Sequence, residues 1–204
     1  MSEARQNVLT PEVIFSPPGL RPALPTHFKF SPCGLYVTYL KGSTDEPTTL
    51  DLWRFDRANR EHSPVLLAQE LNAQADESVT LLSDAERAER ERKRQFTFGI
   101  SHYQWIGEGN SIAVYADGHA YVIPDGIDPE DLIRVTPKTH RNSGFNPSAS
   151  GTLMSYVRDG NLYYKDIASP AEEISVTGDA NECVTYGLPD FLAAEEMHRF
   201  TGAW

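Results

Sequence analysis

Two adjacent carboxylates, Glu195 and Glu196, stand beside small residues near the end of the sequence. On a strand their side chains would face opposite ways, and on a helical turn they diverge by roughly 100°. In the helical geometry both can reach one cation at their shared edge. A primary ammonium suits such a site, because it has three donors and no acceptor. The repulsion between the two charges is eased when a cation arrives. Taken alone, the pair reads more simply as two surface glutamates at a helix start, where the macrodipole favours acids.

Other reactive patterns are missing from the sequence. No GxSxG nucleophile elbow occurs. Gly99-Ile100-Ser101-His102-Tyr103 begins like one but lacks the final glycine and a following helix signal. The six histidines (His27, His62, His102, His119, His140 and His198) show no metal spacing such as HExxH, and no glycine-rich phosphate loop is found. The expectation is no catalytic residue, no metal ligand and no cofactor site. Cys33 and Cys183 form no CxxC pair. They read as buried free thiols, although two cysteines also allow one disulfide.

The chain has 204 residues, with 18 Lys plus Arg against 29 Asp plus Glu, for a net charge of -11. Such a surface repels phosphate backbones, so nucleic acid is excluded as an expected partner. The acidic excess fits plain solubility or the attraction of a cation. The start lacks an apolar run behind a basic head, and no apolar stretch approaches about 18 residues. No membrane association is expected, and the cytoplasm is the expected location. A native start lying upstream would change that to the periplasm.

The elements that must position the glutamates follow from a repeat. Residues 1–26 are rich in Pro and read as an extended leader, with one short strand at Val13-Ile14-Phe15. From there to Trp204 an aromatic strand end, a tight Pro/Gly turn and an alternating strand recur. The copies start at Phe28-Lys29-Phe30-Ser31-Pro32-Cys33-Gly34, Tyr103-Gln104-Trp105-Ile106-Gly107 and Gly144-Phe145-Asn146-Pro147. Phe30, Trp105 and Phe145 serve as the matching anchors. Asp117-Gly118 and Asp159-Gly160 mark hairpins leading to further strands. A four-stranded unit at this spacing predicts an all-β fold, a partial β-propeller of about three to four blades over 27–204. A sandwich or meander would use similar hairpins.

A helical insert of about 67–96 interrupts the first two copies. Leu67 to Ala75 has helix-friendly composition. Ser83-Asp84-Ala85-Glu86 is a capping box opening an Arg-rich helix, supported by the pairs Glu86 with Arg90 and Glu89 with Lys93. A short helical Glu-Glu loop is expected at about 186–203, with Asp190 as N-cap and Gly202 as the helix stop. The chain stops at Trp204, where the repeat calls for an aromatic opening another blade, so it reads as a fragment.

Tyr186-Gly187-Leu188-Pro189-Asp190-Phe191, Glu195-Glu196-Met197 and Arg199-Phe200-Thr201-Gly202-Ala203-Trp204 together resemble the dipeptidyl peptidase IV family of prolyl oligopeptidase-like serine peptidases. Leu82-Ser83-Asp84, Arg90-Glu91-Arg92-Lys93-Arg94 and Gly99-Ile100-Ser101-His102-Tyr103 are similar to its bacterial and cytosolic animal branches. The resemblance covers about residues 25–204 and places the chain in the N-terminal propeller region, in the bacterial branch. It implies the removal of X-Pro or X-Ala dipeptides from peptide amino termini. Glu195 and Glu196 would bind the substrate's free α-ammonium. Arg92, with Arg90 and Arg94 as rivals, would contact a substrate carbonyl or brace the glutamates. The family's Ser-Asp-His triad belongs to a carboxy-terminal α/β-hydrolase domain absent from this sequence, so the fragment alone would be inactive. The resemblance leaves homodimerisation of the full-length enzyme open. Two other readings stand beside it: a non-enzymatic propeller that binds proteins, and the propeller of an acylaminoacyl peptidase or oligopeptidase.

Overall fold

A computed structural model describes residues 10–15, 24–42, 47–72, 97–126, 129–181, 183–199 and 201–202. The all-β, propeller-like expectation holds: three four-stranded antiparallel units follow one another along the chain. The first is β1 (Thr26–Phe30), β2 (Tyr36–Gly42), β3 (Thr49–Asp56) and β4 (Glu61–Leu66). The second is β5 (Phe98–Ile106), β6 (Ser111–Ala116), β7 (His119–Ile123) and β8 (Ile133–Arg134). The third is β9 (Ser143–Pro147), β10 (Leu153–Arg158), β11 (Asn161–Asp166) and β12 (Ile174–Ser175). A short parallel contact, Thr49 with Phe98 and Leu50 with Gly99, joins the first two units. Asp117-Gly118 and Asp159-Gly160 close tight hairpins, each residue with positive φ as a two-residue hairpin loop requires.

The middle unit explains why its strands carry so little polar alternation. Along β6, Ile112, Val114 and Ala116 pack into one core with Leu40, Leu52, Ile100 and Tyr103. Ala113 and Tyr115, pointing the other way, pack into a second core with Met154, Tyr156 and Ile167. On β7, Tyr121 and Ile123 join the first core, and Ala120 and Val122 the second. A strand buried on both faces becomes a continuous apolar run, because alternate side chains find a neighbouring sheet on either side.

Polar and aromatic contacts lock these faces. Tyr103 donates its hydroxyl to the His27 carbonyl at 2.6 Å, and Trp105 Nε1 donates to Thr38 Oγ1 at 3.2 Å. A ladder of rings runs from His27 through His102, Tyr115, Phe145 and Tyr156 to Tyr163, with centroid steps of 6.1, 6.0, 5.1, 6.5 and 6.1 Å. It crosses all three units, and each aromatic pair adds about 0.5–1.5 kcal/mol beyond its buried area.

Three details correct the sequence reading. Val13-Ile14-Phe15 is not a strand: α1 covers Pro11–Phe15. Pro11 fits the first helical position, where no backbone donor is needed, and the Ile14 amide donates to the Thr10 carbonyl at 3.0 Å. The counterpart of Phe145 is Phe28, not Phe30. Ser31 and Ser148 each head a turn closed by Gly34 and Gly151, and Phe28 faces Tyr39 as Phe145 faces Tyr156. Phe28–Phe145, Ser31–Ser148, Gly34–Gly151 and Tyr39–Tyr156 share one offset in the sequence. Both Phe28 and Phe30 are exposed, at 62% and 72%, so the ring contact with Tyr39 is what marks Phe28. Finally, Cys33 and Cys183 are free and exposed rather than buried, since both lie in turns outside the cores.

The helix expected from Leu67 begins as α2, Ala68–Asn72. Leu67 cannot cap it with its own side chain. The buried Asp51 accepts from the Ala68 amide at 2.8 Å, and Glu70 reaches back to the Leu67 amide at 3.0 Å. This divides the two halves of a capping box between β3 and the helix itself. The Arg-rich helix, with Arg90, Arg92 and Arg94, lies outside the described residues.

Candidate functional site

The glutamates sit at the end of a long excursion from the third unit. After β12 the chain folds back over the β10–β11 hairpin. Val176 donates to the Leu162 carbonyl at 2.9 Å, and Tyr186 donates to the Gly160 carbonyl at 2.7 Å. Gly187 then lies against the sheet so closely that a Cβ there would come 2.8 Å from Val157 Cγ2 and 3.0 Å from Leu162 Cδ1. Its φ of 72° also favours glycine.

From this point the loop goes out and returns. The Gly202 amide donates to the Gly187 carbonyl at 3.0 Å. A Cβ on Gly202 would lie 2.4 Å from the Leu188 oxygen. Gly202 therefore does not stop the helix, as the sequence reading had it. It is small because two backbones meet there, and it closes the neck of the loop.

Within the loop, α3 spans Phe191–Glu195. Asp190 is the N-cap, as expected: its carboxylate accepts from the Ala193 amide at 2.8 Å, occupying a donor that the first turn leaves free. Ala193 and Ala194 turn inward and are buried. Glu196 is the C-cap, its amide donating to the Leu192 carbonyl at 2.9 Å. His198 takes a left-handed φ of 52°, and the Arg199 amide returns to the Ala193 carbonyl at 2.9 Å.

Glu195 and Glu196 are thus on a helical turn, where neighbouring side chains diverge by about 100°. Both are exposed. They stand at the carboxy-terminal end of the helix, however, and not at its start. Carbonyl dipoles converge there, so the macrodipole opposes acids instead of favouring them. Among the described residues neither carboxylate has a hydrogen-bonding or ion-pairing side chain. The explanation of the pair as helix-start charges fails on this placement. Phe191, Leu192 and Met197, on the same loop, are 64%, 67% and 75% exposed. Among the described residues the two negative charges have no neutralising side chain, and exposed apolar side chains share their loop.

The other sequence candidates fall elsewhere. Ser101 and His102 are part of β5, where Ser101 donates to the Tyr115 carbonyl at 3.1 Å and His102 stacks on Tyr115. His62 bonds the Tyr39 hydroxyl at 2.8 Å, and His119 is buried near Thr136. Among the described residues no group of three or more His, Cys, Asp or Glu side chains could hold a metal ion. Arg92 and its rivals are outside those residues, so their approach to the glutamates is not part of this geometry.

Two side chains beneath the loop are absent from the sequence reading. Asn161 opens β11 and Thr177 follows β12. Their side chains bond each other at 3.1 Å and tie the chain leading to the loop onto the hairpin. The signal for Asn161 is weak: an asparagine after Asp159-Gly160 reads as ordinary turn chemistry. Nothing in the spacing marks Thr177.

Compared with known families, the sequence model described as Dipeptidyl peptidase IV (DPP IV) N-terminal region matches residues 66–204. The match covers more than half of the chain and includes the second and third units and the whole glutamate loop.

Proposed function

Because the chain belongs to the dipeptidyl peptidase IV family, as its N-terminal region, we propose that Glu195 and Glu196 bind the free α-ammonium of a peptide substrate. In this reading the region gates a serine-type dipeptidyl peptidase that releases X-Pro and X-Ala dipeptides. A carboxy-terminal α/β-hydrolase domain supplies the nucleophile and base. Fixing the ammonium at a set distance from that nucleophile lets two residues reach it, so the contact measures length.

The observation that carries the reading is the placement of the two acids at the negative end of α3, exposed and with no cationic side chain among the described residues. Charge repulsion and the helix dipole both disfavour this arrangement when it is empty, and a cation relieves both. The exposed Phe191, Leu192 and Met197 give apolar surface on the same loop, which suits the side chain of the residue that bears the α-ammonium. Arg92 of the insert is the proposed partner for a substrate carbonyl.

The test is Glu196→Lys in the full-length enzyme, with a dipeptidyl chromogenic substrate. Reversing a charge that pairs with the ammonium removes several kcal/mol, and kcat/KM falls by about a hundredfold or more. Unchanged kinetics refutes the assigned role.

A further inference from the structure

We propose that Asn161 and Thr177 are positioning residues for the glutamate pair, acting through the stem of the loop. This rests on the ammonium-binding reading of Glu195 and Glu196.

Little strand pairing fixes the stem. The excursion leaves β12, which is only two residues long and pairs with β11 only at Tyr163–Ser175 and Tyr164–Ile174. Sheet pairing therefore ends before the stem begins. Beyond it the Val176 and Thr177 amides reach the Leu162 carbonyl at 2.9 and 3.4 Å, and one side-chain oxygen adds two further ties. Asn161 Oδ1 accepts from Thr177 Oγ1 at 3.1 Å and from the Ala180 amide at 3.2 Å. Thr177 Oγ1 in turn accepts from the Leu162 amide at 3.0 Å. Asn161 Nδ2 makes only a long bond, 3.4 Å, to the Asp159 carbonyl. The useful part of the asparagine is its acceptor.

These bonds set where the stem crosses the Asp159-Gly160 hairpin. Ala180 packs against it, since a Cβ on Gly160 would lie 3.1 Å from the Ala180 Cβ. Further along, the Tyr186 amide meets the Gly160 carbonyl and Gly187 nests on Val157 and Leu162. The neck at Gly187 and Gly202 follows directly, and α3 with both glutamates hangs from it. An unpinned stem would slide along the hairpin and carry the carboxylates with it. An error of about 1 Å in the position of a binding group costs one to two orders of magnitude.

The experiment uses the full-length enzyme with a dipeptidyl p-nitroanilide, free or acetylated at its amino terminus. Asn161→Ala removes the acceptor, Thr177→Val removes the hydroxyl at constant shape, and Asn161→Asp keeps an acceptor oxygen in place. Asn161→Ala and Thr177→Val are each expected to raise KM for the free amine about tenfold with kcat within about twofold. The preference for free over acetylated substrate falls by the same factor, and Asn161→Asp restores both. A purely structural role would lower the melting temperature without changing that preference. If Asn161→Ala does not fold, Thr177→Val decides. Unchanged KM and preference in these two variants overturn the proposal, as does an Asn161→Asp variant no better than Asn161→Ala. The double variant Glu195→Gln/Glu196→Gln separates the two ideas. If it loses the free-amine preference while the stem variants keep it, the ammonium reading stands and the stem proposal falls. If it keeps the preference, both fall.

Discussion

His119 offers a quantitative test of the packing around the start of β7. It opens β7 and is 4% exposed, with Nδ1 3.4 Å from Thr136 Oγ1. That hydroxyl already accepts from the Ala120 amide at 3.1 Å. Burial, and then the positive charges of Arg134 and Arg141, lower the imidazole pKa from 6.5 to about 4. The unfolded chain therefore takes up a proton that the folded chain refuses. The stabilisation is complete above pH 6.5 and is lost as pH falls from there towards 4. Each pKa unit is worth about 1.4 kcal/mol, so the full effect is about 3 kcal/mol and the part between pH 7 and pH 5 about 2 kcal/mol. Urea unfolding at those two pH values measures it, with His119→Gln as the reference that cannot titrate. The wild-type protein is expected to lose about 2 kcal/mol more than the variant over this interval. Equal losses would show that the imidazole is not held neutral in the interior, and the account of its burial would be wrong.

Two further perturbations probe the platform and the loop. Glu173 accepts from the buried Tyr156 hydroxyl and pairs with Arg158, whose guanidinium lies 4.2 Å from the centroid of the Tyr163 ring. Glu173→Ala strands a guanidinium that is 11% exposed, and a loss of about 3–5 kcal/mol by urea unfolding is expected; a loss below about 1 kcal/mol would refute the latch. Gly202→Ala forces a Cβ against the Leu188 oxygen, and the neck should loosen by about 1–3 kcal/mol. Limited proteolysis within 188–201 should then be faster while the global melting temperature changes little, and an unaltered cleavage rate would count against the neck.

Much of the fold is legible because hairpin chemistry is local. Asp117-Gly118 and Asp159-Gly160 announce their turns whatever surrounds them, and the apolar runs of β6 and β7 announce burial. Register is harder to read. Phe28 and Phe30 are both aromatic and on the same side of an alternating strand, and only the turn bonds of Ser31 and Ser148 and the ring contact with Tyr39 show which one matches Phe145. Asp190 is readable as a cap because its partner is three residues away. Gly202 is not readable as a neck, because what it must avoid is Leu188, brought near by tertiary folding. The glutamate pair is visible as chemistry in the sequence. Its placement at the carboxy-terminal end of a helix comes from where that helix stops, after Glu195.

The two-faced second unit has an evolutionary cost. A substitution on β6 that suits one neighbouring sheet displaces side chains whose strand also answers to the other. Residues there are judged by two juries, so acceptable changes must come in coordinated sets. Even the turn at 107–110 is held to the third unit, since a Cβ on Gly107 would lie 2.8 Å from the Ser150 carbonyl oxygen, so this rim drifts no more freely than the strands.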